Sequence, residues 1–197
     1  KIKNKNTYSA GNIGIPLSDL ELRRTISSNL IIEASSFQLD RIIDLKFNIA
    51  VLLNITNDHI DRHQGLDNYI KAKLNIFKNQ IKTDYSIICI DDKNCFKIAR
   101  NFSRDFDSTL ITISTNSNLK SDYFIEENNS EIVITDNIKK NDFRFSRNQS
   151  KLKGSHNLIN ILSCYVICLI LKISNESFLS SLTKFKGLQH RFEIFKK

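Results

Sequence analysis

The 197 residues predict an α/β fold: a mostly parallel sheet flanked by helices, with a small antiparallel insertion. Three observations carry this. Short apolar runs of strand length alternate with helix-like runs from about residue 29 to residue 113, the pattern of a parallel sheet with helices on both faces. Leu30-Ile31-Ile32 and Ile49-Ala50-Val51-Leu52-Leu53 are continuous apolar runs, as expected of strands buried on both sides. From about 121 to 147 the pattern changes to short segments separated by Asn, Ser and Asp turns, which reads as the antiparallel insertion.

The elements follow in order. Thr7 to Ala10 lead into a turn at Gly11-Asn12-Ile13-Gly14. Pro16 is the only proline and suits the first turn of a helix running to about Ile26. A strand at 29–33, a short helix near 36–43 and a strand at 48–54 come next. A helix fits 67–79, entered through Gly65 and Asp67. Strand 85–90, helix 92–101 and strand 109–113 complete the alternation. The insertion holds segments at 123–125, 131–134 and 143–145. Two helices, about 156–172 and 176–185, close the pattern, and Phe192 to Phe195 reads as a strand beginning.

Composition bounds the function. The 41% hydrophobic and 25% charged fractions are ordinary for a globular domain. The net charge of +8 would suit a polyanion. No basic run is interleaved with aromatics, so the charge reads as a general bias and nucleic-acid binding is not expected. The four cysteines form no C-x-x-C, which predicts reduced thiols in a cytoplasmic protein. The most apolar stretch, Ile161 to Leu171, falls short of the ~20 residues that span a bilayer. No signal peptide is expected, and the methionine-free sequence reads as an internal segment of a longer protein.

Several residues stand out chemically. Glu33 ends an apolar strand, where nucleotide-binding folds place Mg²⁺ ligands; an ordinary strand-end charge fits equally well. His59 follows the second apolar run. His59 and His63 are four apart, a zinc spacing on a helix, but zinc would need a third ligand and this stretch follows a strand. Lys73 has only apolar or aromatic neighbours at three and four positions: Tyr69, Ile70, Ile76 and Phe77. It therefore lies in or along the buried stripe. There it is either a snorkelling stem or a desolvated amine able to act as a nucleophile or take up CO₂ as a carbamate. Asn157 and Asn160 open a helix after Lys153-Gly154-Ser155-His156, as caps or as a polar pair facing a base or substrate. Arg191 follows a turn at Gly187 and suits either phosphate recognition or a surface ion pair.

Together these segments resemble the central domain of the Mur ligases. The matching stretches are GNIGIPL (11–17), IIEASSFQLD (31–40), LLNITNDHIDRH (52–63), YIKAKLNIF (69–77), KLKGSHNLIN (151–160) and GLQHRFE (187–193). They occur in the family's order across essentially the whole chain, and SSFQLD resembles the D-glutamate-adding branch. The resemblance implies a P-loop NTPase-like central domain over 1–190, with 191–197 starting the connection to a C-terminal domain. It implies an ATP-dependent amide ligase adding D-glutamate to UDP-N-acetylmuramoyl-L-alanine through an acyl phosphate in peptidoglycan synthesis, monomeric and cytoplasmic. It implies that Glu33 and His59 ligate Mg²⁺ and that Lys73 is a carbamylated lysine supporting the second metal. Asn12 and Ser35 would contact the UDP-muramoyl substrate, and Asn157, Asn160 and Arg191 would contact ATP. The sequence departs from the family in having no G-x-x-G-K-[ST] loop, so it reads as a fragment carrying the second half of an active site, inactive alone. Gln189 stands where many relatives have proline, and Asn57 where an acid is common. A folylpolyglutamate synthase-like ligase, a degenerate remnant and a non-catalytic basic nucleotide-binding module remain as alternatives.

Overall fold

The computed structural model describes residues 7–20, 28–56 and 60–187. The chain divides into two compact units: residues 1–46 with 57–79, and residues 47–56 with 80–197.

The larger unit is built on a six-stranded mixed sheet. Its strands are β3 (Ile49–Leu52), β4 (Tyr85–Cys89), β5 (Thr109–Ser114), β6 (Tyr123–Glu127), β7 (Glu131–Asp136) and β8 (Asn141–Ser146), hydrogen-bonded in that order. The first four run parallel, and β6, β7 and β8 pair antiparallel. The expected insertion is therefore joined to the parallel sheet. Its first strand pairs with β5 through Ile113 opposite Tyr123 and Ser114 opposite Phe124.

Alternation along the strands sorts the core into two layers, because successive side chains point to opposite faces. Ile87, Cys89, Ile111 and Ile113 join Ile125, Ile132 and Ile134 in one cluster. α5 (Ser155–Ile170) and α6 (Asn175–Lys184) cover it with Ile161, Leu162, Tyr165, Val166 and Phe178. The ring of Phe143 stacks on Tyr165 at 5.0 Å, and Phe178 meets Tyr165 edge-on. α4 (Lys93–Asp105) packs against β4 and β5 and buries Cys95 and Phe102. Asp92 caps α4 by accepting from the N–H groups of Asn94 and Cys95, which explains why the helix starts there. Beneath the sheet, Gln80 forms a closed polar network. Its amide donates to the carbonyls of Phe47 and Tyr85 at 2.9 and 3.0 Å, and its oxygen accepts from Ser86 and Ser108.

The smaller unit holds a two-stranded parallel sheet, β1 (Thr7–Gly11) with β2 (Asn29–Glu33). Among its described residues it also holds three short α-helices: α1 (Ser36–Leu39), α2 (Ile60–His63) and α3 (Leu66–Leu74). Asn75 Nδ2 donates to the Leu39 carbonyl at 3.2 Å, tying the end of α3 to α1.

Four expectations are corrected here. Thr7–Gly11 is a strand, though its polar composition gave it no strand signal of its own; the partner β2 supplies the pairing. The helix expected from Pro16 is a single 3₁₀ turn at Leu17–Asp19, and extended backbone at Leu20 ends it; residues 21–27 lie outside the described residues. β2 is not a buried strand. Leu30 and Ile31 are 37% and 59% exposed, because among the described residues of this unit β2 has β1 as its only strand neighbour. The helix expected over 67–79 is shorter, ending at Leu74 and continuing as turns.

Candidate functional site

In the smaller unit the ends of β1 and β2 are locked by backbone alone. Gly11 pairs with Glu33, and the N–H of Asn12 donates to the Glu33 carbonyl at 2.8 Å. A Cβ on Gly11 would sit 2.1 Å from that carbonyl oxygen, and its φ of +134° is one that residues with a Cβ rarely adopt. Asn12 and Glu33 are both exposed. Two residues on, Ser35 caps α1. Its hydroxyl accepts the Gln38 N–H at 3.3 Å, while Gln38 Oε1 accepts the Ser35 N–H at 2.9 Å, a reciprocal capping box. The strand end thus presents Asn12, Glu33 and Ser35 from a fixed turn.

Lys73 sits on α3. It is half-buried, whereas Lys71 and Lys78 are exposed, and Tyr69 and Phe77 beside it are buried. Its Nζ lies 5.3 Å from the centroid of the Tyr69 ring, a cation–π contact. The placement along the apolar stripe is as the spacing predicted.

Sequence reasoning missed the role of His63, weighing it only for zinc. Its Nε2 lies 3.0 Å from Ser36 Oγ. Its ring stacks on Phe37 at 5.3 Å and 6°, and meets Tyr69 at 5.4 Å. Arg62 lies over the other partner in this stack, 5.8 Å from the Phe37 centroid. The available signal was Phe37, an aromatic residue placed directly after two serines.

Among the described residues no group of three or more His, Cys, Asp or Glu gathers to form a metal cage. His59 lies outside them. An exposed carboxylate at a strand end nonetheless fits Mg²⁺, which binds through one or two carboxylates and keeps water and phosphate oxygens as its other ligands.

In the larger unit Asn157 and Asn160 lie one turn apart at the start of α5. Asn157 Nδ2 donates to the Lys153 carbonyl at 2.7 Å, and Asn160 Nδ2 to Asn157 Oδ1 at 3.4 Å. The loop before them is held by Arg147, which donates to the carbonyls of Ser150 and Leu152 at 2.8 Å each and pairs with Glu127. Gly154 turns this loop into α5 with φ +94°. Beside it runs an open groove of about 640 Å³, lined in part by Thr115, Glu127, Asn128, Arg147, Ser155 and Leu158. Arg191 lies outside the described residues.

With this arrangement in view, the sequence matches the Mur ligase middle domain over residues 1–168. The chain belongs to the Mur ligase family. It is 37% identical over 191 residues to the UDP-N-acetylmuramoylalanine–D-glutamate ligase of Natranaerobius thermophilus, covering 95% of this chain and 39% of that protein. It is 34% identical over 190 residues to the enzyme of the same name from Clostridioides difficile, covering 96% of this chain and 40% of that one. The chain therefore spans about two fifths of the length of these relatives. Among solved structures, the MurF ligase of Thermotoga maritima in complex with ADP superposes with a TM-score of 0.70 at 17% identity, covering 98% of this chain and 45% of that one. That likeness bears on the fold, and it agrees with the mixed α/β sheet described above.

Proposed function

We propose that this chain is the central nucleotide-binding part, over residues 1–190, of a ligase that joins D-glutamate to UDP-N-acetylmuramoyl-L-alanine at the expense of ATP, with 191–197 leading toward a further domain. The observation that carries this reading is its 34–37% identity, along almost its whole length, to ligases named for D-glutamate.

The chemistry is the one that the likeness to Mur ligases implies. The substrate's terminal carboxylate attacks the γ-phosphorus of ATP, forming an acyl phosphate as ADP departs. The D-glutamate amine then attacks the acyl carbon; the tetrahedral adduct expels phosphate, loses a proton and leaves an amide. Both steps gather negative charge, so catalysis is chiefly neutralisation and positioning. Mg²⁺, when bound, supplies that neutralisation at the phosphates. Glu33 and His59 would hold it. Lys73 would carry CO₂ as a carbamate: its ammonium loses one proton to give the amine, which bonds the carbon and loses a second, so that a cation becomes a metal-binding anion. Asn12 and Ser35 would orient the UDP-sugar from the fixed strand-end turn. Asn157, Asn160 and Arg191 would hold ATP.

The protein is read as a cytoplasmic monomer that uses neither nucleic acid nor membrane insertion. No helix among the described residues is long and apolar enough to cross a membrane.

The deciding experiment measures ADP release by the full-length protein with ATP, Mg²⁺ and UDP-N-acetylmuramoyl-L-alanine, with and without D-glutamate. Release that requires D-glutamate is expected. Release that requires a different amino acid would move the protein to another branch of the family, and no release with any acceptor would favour a binding module or a remnant.

A further inference from the structure

We propose that His63 is a positioning residue that sets the substrate-facing turn at Ser35-Ser36 and the helix carrying Lys73 against one another. The inference rests on the ligase reading for the roles of Ser35 and Lys73, and on this chain's geometry for the link between them.

The link is a continuous series of contacts within the smaller unit. Ser36 is 4% exposed, and its hydroxyl meets His63 Nε2 at 3.0 Å. A buried hydroxyl that lost this partner would be left poorly satisfied, so the bond fixes the residue next to Ser35. The His63 ring lies flat on Phe37 at 5.3 Å and then meets Tyr69, 4% exposed, at 5.4 Å. Tyr69 carries the Lys73 Nζ over its face at 5.3 Å. His63 is itself held from behind: Asn68 Nδ2 donates to its carbonyl at 2.9 Å, across the turn where Gln64 and Gly65 both take positive φ. The imidazole thus has two separable functions. Its nitrogen addresses the serine turn, and its face addresses Tyr69 and through it Lys73.

That division gives the test. Phenylalanine at 63 keeps the ring and loses the nitrogen; glutamine keeps a hydrogen-bonding group and loses the ring. In the full-length enzyme, His63→Phe should raise the KM for the UDP-sugar about tenfold with kcat nearly unchanged, the scale of one lost hydrogen bond. His63→Gln should spare that KM and lower kcat about tenfold, with part of the loss recovered by added bicarbonate, because Tyr69 no longer steadies Lys73. A merely structural residue would produce neither the split nor the bicarbonate response. Thermal melts of both variants accompany the kinetics. Equal falls in kcat and KM performance in both variants, wild-type kinetics in both, or loss of folding in both would overturn the inference while leaving the ligase reading intact. A wild-type enzyme that releases no ADP on addition of D-glutamate overturns the ligase reading, and this inference with it.

Discussion

Asn12 donates its backbone N–H to the carbonyl of Glu33 at 2.8 Å, so the residue proposed for the sugar substrate and the one proposed for Mg²⁺ share a single hydrogen bond. Gly11 makes this possible by bringing the two strands closer than any Cβ would allow.

Gly11→Ala should therefore separate the strand ends. The added carbon would sit 2.1 Å from a backbone oxygen that cannot swing aside, at a φ of +134°. A loss of about 3 kcal/mol in urea-measured stability is expected, with ligase activity largely abolished. Gly14→Ala is the control. Its φ of +84° is also strained but nothing lies within 4 Å, so a smaller loss of about 1 kcal/mol should result. Equal losses at the two positions would remove the close-approach argument.

The contrast between the two units shows what the sequence could carry. In the larger unit the apolar runs at 49–53, 85–90 and 109–113 became β3, β4 and β5, and the helices near 156–172 and 176–185 became α5 and α6. Each of these buries its own periodic face, so local pattern and tertiary packing agree. In the smaller unit they diverge. Thr7–Gly11 is a strand because β2 lies beside it, a non-local cause that leaves no period in TYSAG. Pro16 offers a helix start, but extended backbone at Leu20 stops it after one turn. The half-buried state of Lys73 was readable from its neighbours at three and four positions. The His63 contacts were not, because they depend on α1 and α3 being brought together across some thirty residues of chain.

Lys73 provides a second prediction. Lys73→Ala in the full-length enzyme should cut ligation about a hundredfold or more. If its role is to carry a carbamate, short carboxylic acids added to the variant should restore part of the activity by occupying the vacated space with an anion. Normal turnover by the unrescued variant would exclude the carbamate role.

Alkaline pH should weaken the larger unit in a defined window. Burial pushes the Cys89 thiol from 9.0 up to about 11, and burial with the nearby Asp136 carboxylate pushes the Tyr123 phenol from 10.0 up to about 12. The folded state then keeps these protons where the unfolded chain has released them. Stability should be full below about pH 9 and fall as pH rises through 11 and toward 12. Cys89→Ala, measured by thermal melts across this range, should flatten the first part of the fall. An unchanged slope would mean that Cys89 does not titrate in the folded state as its burial implies.

Arg147 tests the proposed part of the loop before α5 in ATP binding. Its guanidinium donates to the carbonyls of Ser150 and Leu152 and pairs with Glu127 on β6, so a single side chain ties the antiparallel strands to the loop ending at Gly154. Asn157 leans on that same loop through the Lys153 carbonyl. Arg147→Ala should free the loop and raise the KM for ATP about tenfold, leaving the KM for the UDP-sugar unchanged. Arg147→Lys should restore little, because an ammonium is a point donor and cannot span two carbonyls and a carboxylate as the planar fork does. A rise in both KM values would instead mark Arg147 as a general support of the sheet. An unchanged KM for ATP in the alanine variant would detach the loop from nucleotide binding, and the assignment of Asn157 and Asn160 would then stand on sequence resemblance alone.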